Sequence, residues 1–142
     1  MTFEVAFSIA GVVAMAGWLA LFVSPWIGPW ADRIAGVVVP IALSLGYVVL
    51  LFGFPAEQGG FGSLRDVGIL FSSPSALLAG WVHFLAFDLF VGAWMCRDRV
   101  ARQLPFWLVL PCLPVTFLFG PAGYALYVAM RGAVSLRAGA AA

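Results

Sequence analysis

Four stretches of this 142-residue chain stay apolar for long enough to cross a bilayer, at about residues 4–23, 34–54, 75–95 and 104–130. At about 1.5 Å of rise per residue, each reaches or exceeds the roughly 30 Å of a hydrocarbon core. A soluble core could not hide them, because 64% of the residues are hydrophobic and only 9% charged; a soluble domain is about half apolar and one quarter charged. The expected fold is an all-α membrane protein, one domain over residues 1–142 built as a compact bundle of four transmembrane helices.

The first stretch opens the chain and contains Ala14-Met15-Ala16, yet it does not read as a signal peptide. It carries Glu4 and no Lys or Arg ahead of the apolar run, which continues to spanning length. The connections "SPWIGPWADR" and "CRDRVARQLPFW" bring Arg33, Arg97, Arg99 and Arg102 to one face, beside Trp26, Trp30, Trp94 and Trp107. Arg65, Arg131 and Arg137 fall on the other, so the positive-inside rule puts the first face in the cytoplasm and both termini outside. The remaining loop has Gly59, Gly60 and Gly62, followed by Leu64, Val67 and Phe71 at helical spacing. A short amphipathic helix between spans two and three is expected there, lying in the interface.

Small residues four apart mark faces where helices can approach closely: Ala6, Ala10 and Ala14, Ala42 and Gly46, Ala76 and Gly80, Ala125 and Ala129. Span four holds Pro111, Pro114 and Pro121, each of which removes an intrahelical hydrogen bond. Gly120-Pro121 is the expected bend.

The third span carries two ionisable groups near its centre, His83 and Asp88. A charged Asp at mid-bilayer costs about 2.5–3.5 kcal/mol on insertion scales, so such a residue reads as functional by default. Five residues apart, the two lie about 140° apart around the helix axis. Asp88 shares a face with Trp81, Phe84, Leu85 and Gly92; His83 shares one with Ala79, Ala86, Phe87 and Phe90. The other polar residues at comparable depth, Ser8, Ser44, Tyr47 and Thr116, do not complete a nucleophilic triad with them. One histidine cannot supply bis-imidazole haem ligation, and no Glu-x-x-His pattern points to a di-metal centre, so neither a metal nor another cofactor is expected. Cys96 and Cys112 have neither metal spacing nor a disulfide framework and are expected to be free thiols. A net charge of +1 says nothing about nucleic acid in so apolar a chain, and without a basic tract no nucleic-acid partner is expected.

The run "GGFGSLRDVGILFSSPSALLAGWVHFLAFDLFVGAW", with "LFGPAGYALY" further on, resembles the abscisic-acid-deficient family of small membrane proteins. The similarity extends over about residues 3–131, with its specific block at 61–92, including Phe61, Ser63, Pro74, Gly80, Trp81, His83, Asp88, and later Gly120, Pro121 and Gly123. In plants that family is tied to making neoxanthin from violaxanthin, so the resemblance implies a four-span protein linked to carotenoids. The absence of a transit peptide points to a bacterial relative and an inner-membrane location.

The chemistry then expected is a cofactor-free xanthophyll isomerase that opens an epoxide. Asp88 is the expected acid and His83 the expected base. Trp81, Phe84 and Phe87, with the Gly120-Pro121 bend, are the expected lining for a carotenoid or other apolar lipid substrate. The alternative is a non-catalytic carotenoid-binding or scaffolding subunit. Membrane lipids surround either, and a homo-oligomer or a pigment-enzyme partner is compatible with both. A proton-coupled transporter lacks the inverted repeat it would need.

Overall fold

The computed structural model describes residues 2–140, with side chains as far as residue 136. Helix α1 (Phe3–Phe22) is followed by two short helical turns, α2 (Ser24–Ile27) and α3 (Pro29–Arg33). One π-helical turn (Ile34–Val38) carries α3 into α4 (Val39–Gly53). The widened turn precedes Pro40, which has no N–H to offer the carbonyl of Gly36. Then come α5 (Leu64–Leu70), α6 (Pro74–Ala101), α7 (Phe106–Val109), α8 (Cys112–Phe119) and α9 (Pro121–Ala140). No strand occurs among the described residues.

Three helices are long and apolar enough to cross a membrane: Phe3–Phe22, Pro29–Gly53 and Pro74–Ala101. They are apolar on their outer as well as their inner faces. Val12, Leu45 and Phe52 remain 71%, 63% and 77% exposed, a surface that suits lipid and not water. The ring of Phe3 meets Phe54 edge-on at 5.7 Å, and Phe7 lies 5.6 Å from Trp81. The start of α1, the end of α4 and the start of α6 therefore share one face. Arg97 pairs with Asp32 at 2.7 Å on the opposite face, called here the arginine face.

Close approach of α1 and α6 depends on glycines outside the expected small-residue rows. Gly17 receives the side chain of Leu89, and a Cβ on Gly92 would stand 2.9 Å from Leu21 and 3.1 Å from Trp18. Ala10 and Ala14 are buried as their row implies, but Ala42, Gly46, Ala125 and Ala129 are exposed.

The stretch expected as a fourth span, residues 104–130, is not one continuous helix. Pro111 stands between α7 and α8, and Gly120, at φ 44° and ψ −99°, separates α8 from α9. Helix α9 then doubles back. A Cβ on Gly120 would stand 2.7 Å from Asp88 Oδ1; the rings of Tyr124 and Tyr127 lie 5.5 and 5.8 Å from Trp94; Tyr127 and Arg131 both donate to Asp98 Oδ2 at 2.8 Å. As α9 advances from residue 120 to 131, its contacts climb α6 from 88 to 98, so the two helices run in the same direction. The α8–α9 hairpin is tight, with Gly123 against the Thr116 backbone and Cys112 Sγ 3.8 Å from Met130 Sδ.

The hairpin enters from the arginine face, turns beside Asp88 near the midpoint of α6, and returns to the face it came from. This corrects both the four-span bundle and the placing of both termini on one side: three apolar helices hold a re-entrant hairpin, and α9 ends on the arginine face. Broken backbone at that depth is tolerated where protein covers it, and Leu108, Val109, Cys112, Leu113 and Thr116 are all fully buried. Thr116 Oγ1 also donates to the Cys112 carbonyl at 2.8 Å.

The amphipathic helix expected in the loop is α5. Ser63 caps it, accepting from the Asp66 N–H at 3.1 Å while its hydroxyl donates to Asp66 Oδ2 at 2.7 Å. Phe71, just beyond α5, lays its ring over Gly80 of α6 and so ties α5 to the third span.

Candidate functional site

Asp88 is 8% exposed, and its Oδ2 has no hydrogen-bond partner among the described residues. The unpartnered oxygen is unusual, because a buried carboxyl is normally matched by a donor. What packs against this carboxyl is the hairpin turn. Gly120 adopts a left-handed φ that disfavours any side chain, and its missing Cβ is the space that the Asp88 carboxyl fills. The chain thus brings a backbone turn, not a second side chain, up to the acid.

The hairpin stops at Asp88, and this leaves the lower half of the same α6 face uncovered. Phe84 and Trp81 lie about 40° and 20° from Asp88 around the axis, one and two turns toward the far face. Trp81 is 40% exposed, its ring 5.6 Å from both Phe84 and Phe7 of α1. Phe7, Trp81 and Phe84 thus form an aromatic bay on the outer surface, one to two turns of α6 below Asp88 and the hairpin turn. Pro121, at the start of α9, is exposed beside that turn. Of the residues expected to line a substrate, Gly120 packs directly against Asp88 with Pro121 next in the chain, while Phe84 and Trp81 share the Asp88 face of α6 one and two turns away.

His83 and Phe87 do not join them. His83 stacks on Phe87 at 4.6 Å with its ring 5.6 Å from Tyr47, so both lie on the flank of α6 that meets α4. Both are exposed on the outer surface, Phe87 by 57%. The two ionisable groups of the third span face different neighbourhoods, as their 140° separation requires.

A polar cluster at the arginine face is absent from the sequence-based expectations. Asp98 accepts from Tyr127 Oη and Arg131 at 2.8 Å and from Arg102 Nε at 2.9 and 3.1 Å. Tyr127 is fully buried, and Arg131 also lies over the Trp94 ring, 5.9 Å from its centroid. The i,i+4 pairs Asp98/Arg102 and Tyr127/Arg131 were visible in the sequence. A four-span topology sends residues 98 and 131 to opposite faces, which conceals their meeting. The cluster fastens the outgoing leg of the hairpin to the end of α6 and so holds the turn at the height of Asp88.

No curated protein and no solved structure matches the chain. Residues 5–127 match the family described as ABA4-like, ABA DEFICIENT 4-like, and the chain therefore belongs to that family, which is linked to carotenoid and xanthophyll metabolism.

Proposed function

We propose that the protein isomerises an epoxide-bearing xanthophyll that enters the aromatic bay sideways from the lipid, with Asp88 as the proton-transfer group. The observation that supports this reading most is the unpartnered buried Asp88 carboxyl, one turn of α6 above Phe84. As the neutral acid it gives its proton to the epoxide oxygen while the ring C–O bond breaks, leaving a hydroxyl and a carbocation. The resulting carboxylate then removes a proton from the neighbouring polyene carbon, and that C–H electron pair becomes the second double bond of an allene. The proton is returned, no electrons are exchanged with a cofactor, and one carboxyl serves as acid and then base. Trp81 and Phe84 would lie along the rod-like polyene. His83, on the other flank, contacts the outer surface between α4 and α6 and takes no part in this scheme.

The setting we propose is a bacterial inner membrane with the arginine face in the cytoplasm. Arg33, Arg97, Arg99, Arg102 and Arg131 are gathered there against Arg65 on the far face, a wider bias than a four-span topology would give.

One observation favours a non-catalytic, carotenoid-binding role instead. A groove of about 480 Å³ between α1 and α4, lined by Ala6, Ala10, Gly46 and other residues without an ionisable side chain, could hold a pigment without acting on it. The two readings separate when the chain is expressed in a host supplied with an epoxy-xanthophyll and the pigments are extracted. Isomerisation predicts an allenic product that disappears in Asp88→Asn and persists in His83→Gln, with both variants folded. Unchanged pigment co-purifying equally with wild type and Asp88→Asn would replace the enzyme with the binding subunit.

A further inference from the structure

At the arginine face, the ends of α1 and α6 and the α2–α3 turns enclose a cavity of about 500 Å³, separate from the aromatic bay. Two of its polar groups have no partner among the described residues. Ser24 is 8% exposed and its Oγ is unbonded; Arg99 Nε is buried and unbonded, with the guanidinium over the Phe106 ring at 5.2 Å. The other charges in the cavity cancel, because Arg97 donates to Asp32 at 2.7 Å. Arg99 is thus left as one uncompensated positive charge in a cavity that Ser24, next to the Cys96 thiol, also lines. Leu21 and Ala93 supply an apolar wall.

We propose that this cavity binds the phosphate group of an anionic membrane phospholipid, with Arg99 and Ser24 as its donors and the start of an acyl chain against Leu21. A planar guanidinium and a hydroxyl suit phosphate oxygens, and one net positive charge suits one anionic diester. The depth is that of headgroups. Trp26 and Trp30, on the turns that border the cavity, are 79% and 61% exposed, as interfacial tryptophans are. A bilayer delivers such a group at high local concentration, whereas a soluble phosphate must compete for the same donors from water.

The test uses the full chain in detergent, titrated with phosphatidylglycerol or phosphatidylcholine in mixed micelles and read by native mass spectrometry and tryptophan fluorescence. Wild type should bind phosphatidylglycerol about tenfold more tightly than phosphatidylcholine, and Arg99→Gln should erase that preference. Arg65→Gln, on the far face, should leave it intact. Ser24→Ala removes no charge and should weaken phosphatidylglycerol severalfold at an unchanged melting temperature; it keeps the test decisive if Arg99→Gln fails to fold. Equal binding of the two lipids by wild type overturns the site, as does wild-type preference in Ser24→Ala together with any folded Arg99 variant. In a separate arm, inorganic phosphate that stabilises the protein as strongly as phosphatidylglycerol, and displaces it, would make the occupant a soluble anion and overturn the lipid assignment.

Discussion

Asp98 is the residue on which the position of the hairpin turn depends, because its carboxylate is shared by donors from two helices. Arg102 reaches it from the same helix across one turn, with a side chain 52% exposed, so that pair contributes little. Arg131 and Tyr127 reach it from α9, and Tyr127 is fully buried. Losing the carboxylate strands a buried hydroxyl and a guanidinium that is only 22% exposed. Asp98→Asn should therefore cost about 2–3 kcal/mol, below the usual cost of breaking a fully buried pair because water still reaches the arginines. Tyr127→Phe removes one donor and leaves the charges paired, so it should cost about 1 kcal/mol. Reversible unfolding in detergent measures both. An Asp98→Asn variant as stable as wild type would show that the cluster does not hold the hairpin.

At the scale of the element, the α8–α9 hairpin rests on two glycines that differ in what opposes them. A Cβ on Gly120 meets the Asp88 side chain and also demands a left-handed φ, a strain of about 1–3 kcal/mol in an L residue. A Cβ on Gly123 meets the Thr116 backbone, which has no rotamer to yield. Gly123→Ala should then destabilise more than Gly120→Ala, and Asp88→Ala should relieve part of the Gly120→Ala defect while leaving Gly123→Ala untouched. Melting temperatures of the single and double variants decide this; equal rescue of both glycines would contradict the packing. The break at Gly120-Pro121 could be read from the sequence, since the dipeptide cannot continue a helix. The direction taken after it could not be read, because a hydropathy window counts apolar residues without regard to where they run. The same limit applied to the site. Asp88 declared itself by the cost of burying a carboxyl, and helical spacing put Trp81 and Phe84 on its face. His83 looked equivalent, but it lies exposed on the outer surface beside Tyr47 of α4, away from the hairpin turn. The packing glycines, Gly17 and Gly92, carry no pattern of their own, because what they accommodate comes from another helix.

For the whole molecule, the re-entrant hairpin makes the two faces unequal. Three spans put the start of α1 and the outgoing end of α9 on opposite sides, and Arg131 joins Arg33, Arg97, Arg99 and Arg102 on one of them. Under the orientation proposed above, five arginines against Arg65 put the opening of the hairpin on the cytoplasmic side. The arrangement also sets the route to Asp88. From the arginine face the carboxyl lies behind the hairpin, and toward the far face the Trp81–Phe84 stripe follows it along α6, so the proposed apolar substrate would have to approach from within the bilayer. Single cysteines in a chain with Cys96 and Cys112 replaced by alanine test this layout directly. Ala101→Cys and Ser135→Cys, both exposed, should react with a membrane-impermeant maleimide from the same side, and Glu57→Cys from the other. A chain crossing four times would carry Ser135 to the side of Glu57. If those two label together, the hairpin spans the bilayer, the turn no longer ends at the height of Asp88, and the bay beneath it is lost.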